Sequence, residues 1–498
     1  MTENRRVLLV AFYNIKAQGV RYLESALERG SYEVTNVFYK DFNSVRPKKT
    51  TEAELDLLCR RIEETAPLMI GLSVMSSMYL DTVNAVLERI RGRFGNIPVV
   101  CGGAFTSMFP DYFLKRGAQY IIRTDGEHAI VKLADCLRTG QSAEEIPSLG
   151  FVRSGEIVVN EIGDVLSQLD GYGAPVINSR NACFIENDKL VPGDPQLNTL
   201  SYETIASRGC PFRCSYCCCA NLRRLLPKGT PPVRFRSVKS VIDELIEAKK
   251  QCKRLVFIHF YDEVFPRKTE WVDEFCREYK KHIHMPFTIW THPGMADEAT
   301  LKKLVSVGLM EVIMGIQSGS PYIRREVFHR HETQEDIIEA TRAIADAGVF
   351  WASYDFMLQH PFEKIEHLKE TYELVKKLHG RYELQLHGLN FLPGTDIVPM
   401  AIEQGYFTQA EMDAIMYAPM EEQFGAYWKR ENSLESRLWY ELTYLLQYKD
   451  LRPLAEKYES DPLSHVSEID AAYARGKAKE KNRYLFKKAR IALKRVLF

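Results

Sequence analysis

Three cysteines, Cys210, Cys214 and Cys217, stand in the stretch S-R-G-C-P-F-R-C-S-Y-C-C-C at 207–219. Thiolates at this spacing, on a loop with one turn between successive cysteines, can wrap a single inorganic centre. Three of them bind three irons of a [4Fe–4S] cubane and leave the fourth iron open for a ligand. The competing reading is zinc, which also takes clustered thiolates but normally needs four protein ligands in two pairs. No second pair follows downstream, and Cys218 and Cys219 adjoin Cys217 too closely for both to reach the same ion with it. The 11 cysteines of this 498-residue chain are not spread as a disulfide framework, so the cluster points to metal or redox chemistry in a reducing compartment.

Other residues of chemical use fall at the ends of apolar runs. HFYDEVF (259–265) ends a strand pattern with Asp262 and Glu263, carboxylates suited to accept from an ammonium group; the bland alternative is an acidic strand end in solvent. GIQSGS (315–320) offers Gly315 for close approach and Gln317 and Ser318 as polar groups. His259, His292, His360 and His387 stand near strand ends, although a lone histidine is more often structural.

The elements that must hold these groups alternate. Residues 5–150 read as strands at 7–13, 32–40, 68–74, 98–104 and 120–124 separated by helices, the pattern of a Rossmann-like, doubly wound parallel sheet. Ligands of such sheets lie beyond the carboxyl ends of the strands, where Ser73, Gly102, Gly103 and Gly126 fall. Residues 151–200 read as an irregular connector over the surface, with GEIVVN (155–160) as a hairpin piece. Residues 201–395 alternate again in about six βα units, which fit a (β/α)6 partial TIM barrel with the cysteines behind its first strand. Residues 396–498 turn helical and aromatic-rich, a separate helical carboxyl-terminal region.

With the elements in place, the motifs carry a resemblance. C-x3-C-x-aromatic-C behind strand one of a βα barrel closely resembles the radical S-adenosylmethionine (SAM) superfamily. The resemblance implies that the amino and carboxylate groups of SAM chelate the open iron. One electron, from a donor such as flavodoxin or ferredoxin, then cleaves the sulfonium to a 5′-deoxyadenosyl radical. It further implies Tyr216 against the adenine, Asp262 and Glu263 at the SAM amino group, and Gly315, Gln317 and Ser318 at the methionine part. LNFLPGTDI (389–397) matches the family's last strand segment, whereas in QHPFEKIEHLKET (359–371) Gln359 and Phe362 replace the two glycines of the usual G-x-P-G-E-T.

IGLSVMSS (70–77), PVVCGGAFTS (98–107) and RTDGEHA (123–129) resemble the cobalamin-binding domain that precedes many such barrels. By that resemblance Ser73, Gly102, Gly103 and Gly126 border cobalamin. The D-x-H-x-x-G motif that supplies a histidine to cobalt is absent, since residues 11–22 read AFYNIKAQGVRY. The expected activity is cobalamin-dependent methylation of an unactivated carbon in a small-molecule, lipid or peptide substrate. Alternatives are a radical rearrangement, cyclisation or ring contraction without methyl transfer, and a non-catalytic metal-binding scaffold.

Bulk properties narrow the partners. The 66 basic and 66 acidic side chains cancel, which gives no argument for nucleic acid. No apolar run of about 18 residues appears, so a cytoplasmic protein is expected. The segment 481–498, KNRYLFKKARIALKRVLF, carries seven basic residues and no acid. At helical spacing it has an apolar face and a face with Lys487, Arg490, Lys494 and Arg495, suited to peripheral contact with an anionic membrane or to packing on its own protein.

Overall fold

The computed structural model describes residues 4–43, 46–423 and 433–497, with side chains through Lys487. In the amino-terminal half, β1 (Arg6–Phe12), β2 (Glu33–Tyr39), β3 (Met69–Ser73), β4 (Val99–Gly102) and β5 (Tyr120–Ile122) are parallel neighbours in the order β5-β4-β3-β1-β2. Their nearly unbroken apolar runs follow from burial on both faces. Leu8, Val10 and Phe12 pack with Leu58, Ile62, Val86 and Ile90 on one side, while Val7, Leu9 and Ala11 pack with Val20, Leu27, Ile130 and Leu133 on the other.

Residues 151–200 differ from the expected connector, because they add strands to both edges of this sheet. β6 (Leu149–Arg153) and β7 (Glu156–Val159) form an antiparallel hairpin on the β5 edge; β8 (Cys183–Glu186) pairs parallel with β2 and turns back as β9 (Lys189–Pro192), giving nine strands. Strands of four residues with exposed outer positions are too short to show a period. The signal lay in the turns instead. Asn187 and Asp188 both have positive φ (54° and 58°), as do Ser154 and Gly155 (53° and 86°), the backbone of two-residue hairpin turns.

The second sheet is an open parallel barrel in the order β10 (Ser201–Thr204), β13 (Phe257–Phe260), β14 (Phe287–Thr291), β15 (Leu309–Gln317), β16 (Trp351–Met357) and β17 (Tyr382–His387). A two-stranded ribbon of β11 (Ser207–Arg208) and β12 (Arg234–Phe235) flanks the cysteine loop. Ile258, Ile289, Val312, Met314, Tyr354 and Leu384 pack outward under the helices. The alternate residues His259, Thr288, Glu311, Ser353 and Asp355 therefore face inward.

The carboxyl-terminal helices are continuous with the barrel rather than separate from it, since Leu438, Trp439, Leu442 and Leu445 share its core. They also cover the open edge of β17: Gln447 Oε1 accepts from the Leu384 amide (3.2 Å), and Arg483 donates to the Tyr382 carbonyl (2.6 Å). The last helix, Val466–Leu497, turns two basic residues of its terminal segment, Arg483 and Lys487, to the barrel. Lys487, read as outward-facing, is ion-paired with Glu311 of β15, and Phe486 lies against Phe350 and beneath Arg381. The side chains of 488–498 lie outside the described residues.

Buried ion pairs join the two halves. Arg21 holds Asp194 through two bonds of 2.6 and 2.8 Å. Arg208 binds Asp125 (2.8 Å) and Glu127 (2.6 Å), and Arg234 also binds Asp125. Arg208→Gln strips Glu127 of its cation in a buried setting. It is expected to cost about 3 kcal/mol in urea unfolding, with Arg208→Lys costing less because the charge remains but the fork is lost.

Candidate active site at the cysteine loop and the interdomain cavity

The cysteine loop is shaped by contacts that few other sequences permit. Gly209 has φ of 98°, and a Cβ there would lie 2.4 Å from the Pro232 carbonyl oxygen, so only glycine fits. Ser215 pins the middle of the loop. Its amide donates to the Phe328 carbonyl (3.1 Å), its hydroxyl to the Val327 carbonyl (2.5 Å), and its own carbonyl accepts from Ile397 (3.0 Å). The Cys217 amide closes a turn on Cys214 (3.1 Å), and Cys217 precedes the helix Cys218–Leu225.

Cys210, Cys214 and Cys217 are close enough for their charges to act on one another. Burial pushes the Cys210 thiol up to about 12, whereas a hydrogen bond from Cys219 holds Cys217 below the usual thiol range. Among the described residues no three His, Cys, Asp or Glu side chains converge on a point as a single ion needs. A cubane takes each thiolate on a different iron and so asks for a wider triangle. The donor set fits a cluster.

Sequence reasoning missed what surrounds it. Fully buried Arg330 points its guanidinium at Cys214 Sγ (3.9 Å), the Tyr216 hydroxyl (3.2 Å), the Gly315 carbonyl (2.7 Å) and Glu332 (2.6 Å). Glu332 also meets His292 (3.4 Å), whose ring stacks on Phe212 of the loop at 3.7 Å. Although burial alone raises it, the neighbouring His292 ring and the Arg330 charge hold the Glu332 carboxyl at about 2. Nothing in the spacing of PYIRREVFHRHET (321–333) separates Arg330 from its neighbours Arg324 and Arg325.

The expected SAM residues divide. Tyr216 lies beside the cluster loop, edge-on to Phe328. Gly315 and Gln317 are on the inner face of β15, with Gln317 in left-handed backbone (φ 72°). Ser318 is buried and committed locally, accepting from the Ser320 amide (3.1 Å) and, through its carbonyl, from Arg324 (2.8 Å). Asp262 is buried and taken up by its own chain, receiving the Ala206 amide (3.0 Å to each oxygen) and the Ser207 hydroxyl; burial raises it to about 6. Glu263 instead borders the cavity described next.

One further carboxylate went unread. Asp355, on β16, pairs across the sheet with Gly315, and among the described residues its carboxylate has no hydrogen-bond or ion-pair partner. Burial, then the charges of Glu311 and Glu383, raise it to about 7. His259 shares this interior with its Nδ1 unpartnered, and burial, then Lys16 and Lys487, lower it to about 3. His360 is buried against Phe328 and Phe362, outside the interior row.

A cavity of about 400 Å3 separates the two halves. Ser73, Gly102, Gly103 and Gly126 line one wall, and Arg208, Gly209, Cys219, Tyr261 and Glu263 line the other. Gly103 is required, since φ is 102° and a Cβ would meet the Val74 carbonyl at 2.4 Å. Gly19, also on the wall, has nothing within 4 Å of a built Cβ, so the space before it is open. Met75 (58% exposed) and Tyr261 (48%) present apolar surface there. Four buried oxygens on the wall, Gln18 Oε1, the Tyr22 hydroxyl, Thr124 Oγ1 and Glu127 Oε2, have no partner among the described residues. A broad glycine-floored cradle with unsatisfied acceptors fits a large ligand rich in amide donors, as cobalamin is.

Comparison with known proteins agrees. The radical SAM superfamily model matches residues 204–375 and the B12 binding domain model residues 5–134. An uncharacterized methyltransferase of Pyrococcus horikoshii is 25% identical over 354 residues, covering 69% of this chain and 72% of that one. The anaerobic magnesium-protoporphyrin IX monomethyl ester cyclase of Cereibacter sphaeroides is 22% identical over 71% of this chain but only 55% of its own length. In fold, the chain resembles the radical SAM methyltransferase TsrM from Kitasatospora setae, solved with tryptophan and a SAM analogue (TM-score 0.63, 19% identity, 80% of this chain and 76% of that). It also resembles the cobalamin-dependent enzyme OxsB with aqua-cobalamin and SAM (TM-score 0.64, 14% identity, 100% and 82%). The chain belongs to the radical SAM enzymes that carry an amino-terminal cobalamin-binding domain, and its cofactors are a [4Fe–4S] cluster, SAM and cobalamin.

Proposed function

We propose that this methyltransferase-like enzyme transfers a methyl group from cobalamin to an unactivated carbon of an organic substrate. The observation that carries the reading is the shared cavity, whose walls come from the cobalamin-binding half and from the strand and helix on either side of the cysteine loop. When bound, the cluster and SAM supply a 5′-deoxyadenosyl radical that removes a hydrogen atom from carbon, and methylcobalamin supplies the methyl group. The protein's part is to bind, orient and exclude water.

Cys210, Cys214 and Cys217 hold the cluster. Arg330 crosses from Cys214 to Gly315, so one buried cation orders both the cysteine loop and the strand that would flank SAM. Glu263, open to the cavity where Asp262 is not, is the better acceptor for the SAM ammonium. Asp355 presents a free carboxylate one strand from Gly315, suited to the hydroxyl donors of the nucleoside. Tyr261 and Trp290, stacked at 4.4 Å, offer an aromatic wall for substrate.

A second reading, ring formation without methyl transfer, is favoured by the name of the cyclase relatives. Anaerobic turnover with SAM, cobalamin and a chemical reductant separates the two. Methylation predicts product heavier by one methyl group together with 5′-deoxyadenosine, and product of unchanged carbon count would sink it. Alanine at Cys210, Cys214 or Cys217 is expected to abolish the visible absorbance of the reconstituted cluster, while Cys218→Ala keeps it.

Asp355 makes a separate prediction. Its carboxyl keeps a proton in the folded chain up to about 7, whereas the unfolded chain releases it in the ordinary range near 3.8. Between those values the unfolded state binds fewer protons, so this group lowers stability as pH rises through the window. Ligand-free Asp355→Asn is therefore expected to melt above the native chain near pH 8 and to lose that advantage toward pH 4. The same substitution should weaken SAM binding about tenfold by calorimetry, the loss of a charged hydrogen bond.

A further inference from the structure

The loop after β1 sits where cobalamin-binding domains with D-x-H-x-x-G place their cobalt ligand. Aligned on Gly19, this chain reads Asn14-Ile15-Lys16-Ala17-Gln18-Gly19. Lysine stands in the histidine's place, yet it does not line the cavity. Its ammonium crosses to the barrel and donates to Ser201 Oγ (2.9 Å) and Glu203 Oε1 (2.9 Å) on β10. Asn14 Oδ1 fixes this turn by accepting from the amides of Lys16 and Ala17 (2.9 Å each).

Two residues later the pattern reverses. Gln18 opens the helix Gln18–Arg29 and borders the cavity. Its Nε2 donates to the Glu203 carbonyl, which orients the amide, and its buried Oε1 has no partner among the described residues. Beside it, Gly19 leaves the approach clear. A buried acceptor without a donor costs free energy unless a ligand completes it.

We propose that Gln18, not the residue at the motif's histidine position, is the side chain facing the lower side of the cobalt, and that Lys16 serves as a tether between the halves. The proposal rests on cobalamin occupying this cavity. An amide oxygen there accepts a hydrogen bond and gives the metal no nitrogen, whereas the tether keeps Lys16 turned away.

Histidine exchanges test the two positions against each other. Gln18→His and Lys16→His would be loaded anaerobically with cob(II)alamin, labelled with 15N-histidine, and read by electron paramagnetic resonance. Stoichiometric cobalamin binding by the native chain is measured first, and its failure would remove the cavity assignment rather than the role of Gln18. Histidine nitrogen splitting is expected in Gln18→His and in neither the native chain nor Lys16→His. Splitting in Lys16→His, or in neither variant, overturns the proposal. Should Gln18→His not load, Gln18→Leu decides. Cobalamin affinity about three- to tenfold weaker at native stoichiometry supports the contact, and unchanged affinity refutes it.

Discussion

Arg208 stands two residues before Cys210 and grips Asp125 and Glu127, the residues on either side of Gly126. One side chain thus ties the strand that launches the cysteine loop to the turn that floors the cavity. Taking these charges out of water is costly. The geometry recovers that cost only because the fork meets two carboxylates, Arg234 completes Asp125, and the rings of Tyr22 and Tyr172 flank the guanidinium at 4.8 and 5.2 Å. Such a site is poor at adding stability but strict about position. Two cofactors held on opposite walls of one cavity need that strictness more than they need stability.

The cysteine loop was legible because its chemistry is local. Thiolate spacing, Gly209 and the strand before it all lie within one short stretch. The glycine-lined floor was legible for a related reason, since Gly102, Gly103 and Gly126 follow apolar runs that can only be buried parallel strands. What stayed hidden depends on contacts between distant segments. Arg330 reaches Cys214 across more than a hundred residues, and Asp355 is distinctive only because β15 and β16 set it beside Gly315. Asp262 and Glu263 show the limit most clearly. The sequence places two carboxylates at one strand end, and only the fold tells that Asp262 serves the backbone of Ala206 while Glu263 faces open space. Of the hairpin at 149–159 only the piece GEIVVN (155–160) was read, and the hairpin at 183–192 was missed, because strands of four or five residues carry no period, although their turn residues carried the signal.

The barrel interior repeats this division of labour among its acids. Glu203 is neutralised by Lys16, which arrives from the amino-terminal half, and Glu311 by Lys487, which arrives from the last helix. Glu383 accepts from the Trp351 indole (2.9 Å). Each of these acids is satisfied by a group brought from another element, and Lys16 and Lys487 together push His259 toward its neutral form. Asp355 alone of this set has no such partner among the described residues, and it lies at the level of Gly315 on the inner row of β15. With the neighbouring acids compensated from within the chain, that carboxylate is the one suited to a donor from outside it. The stability lost by keeping it free is the cost of a binding group, and it falls where the reacting molecules must be held.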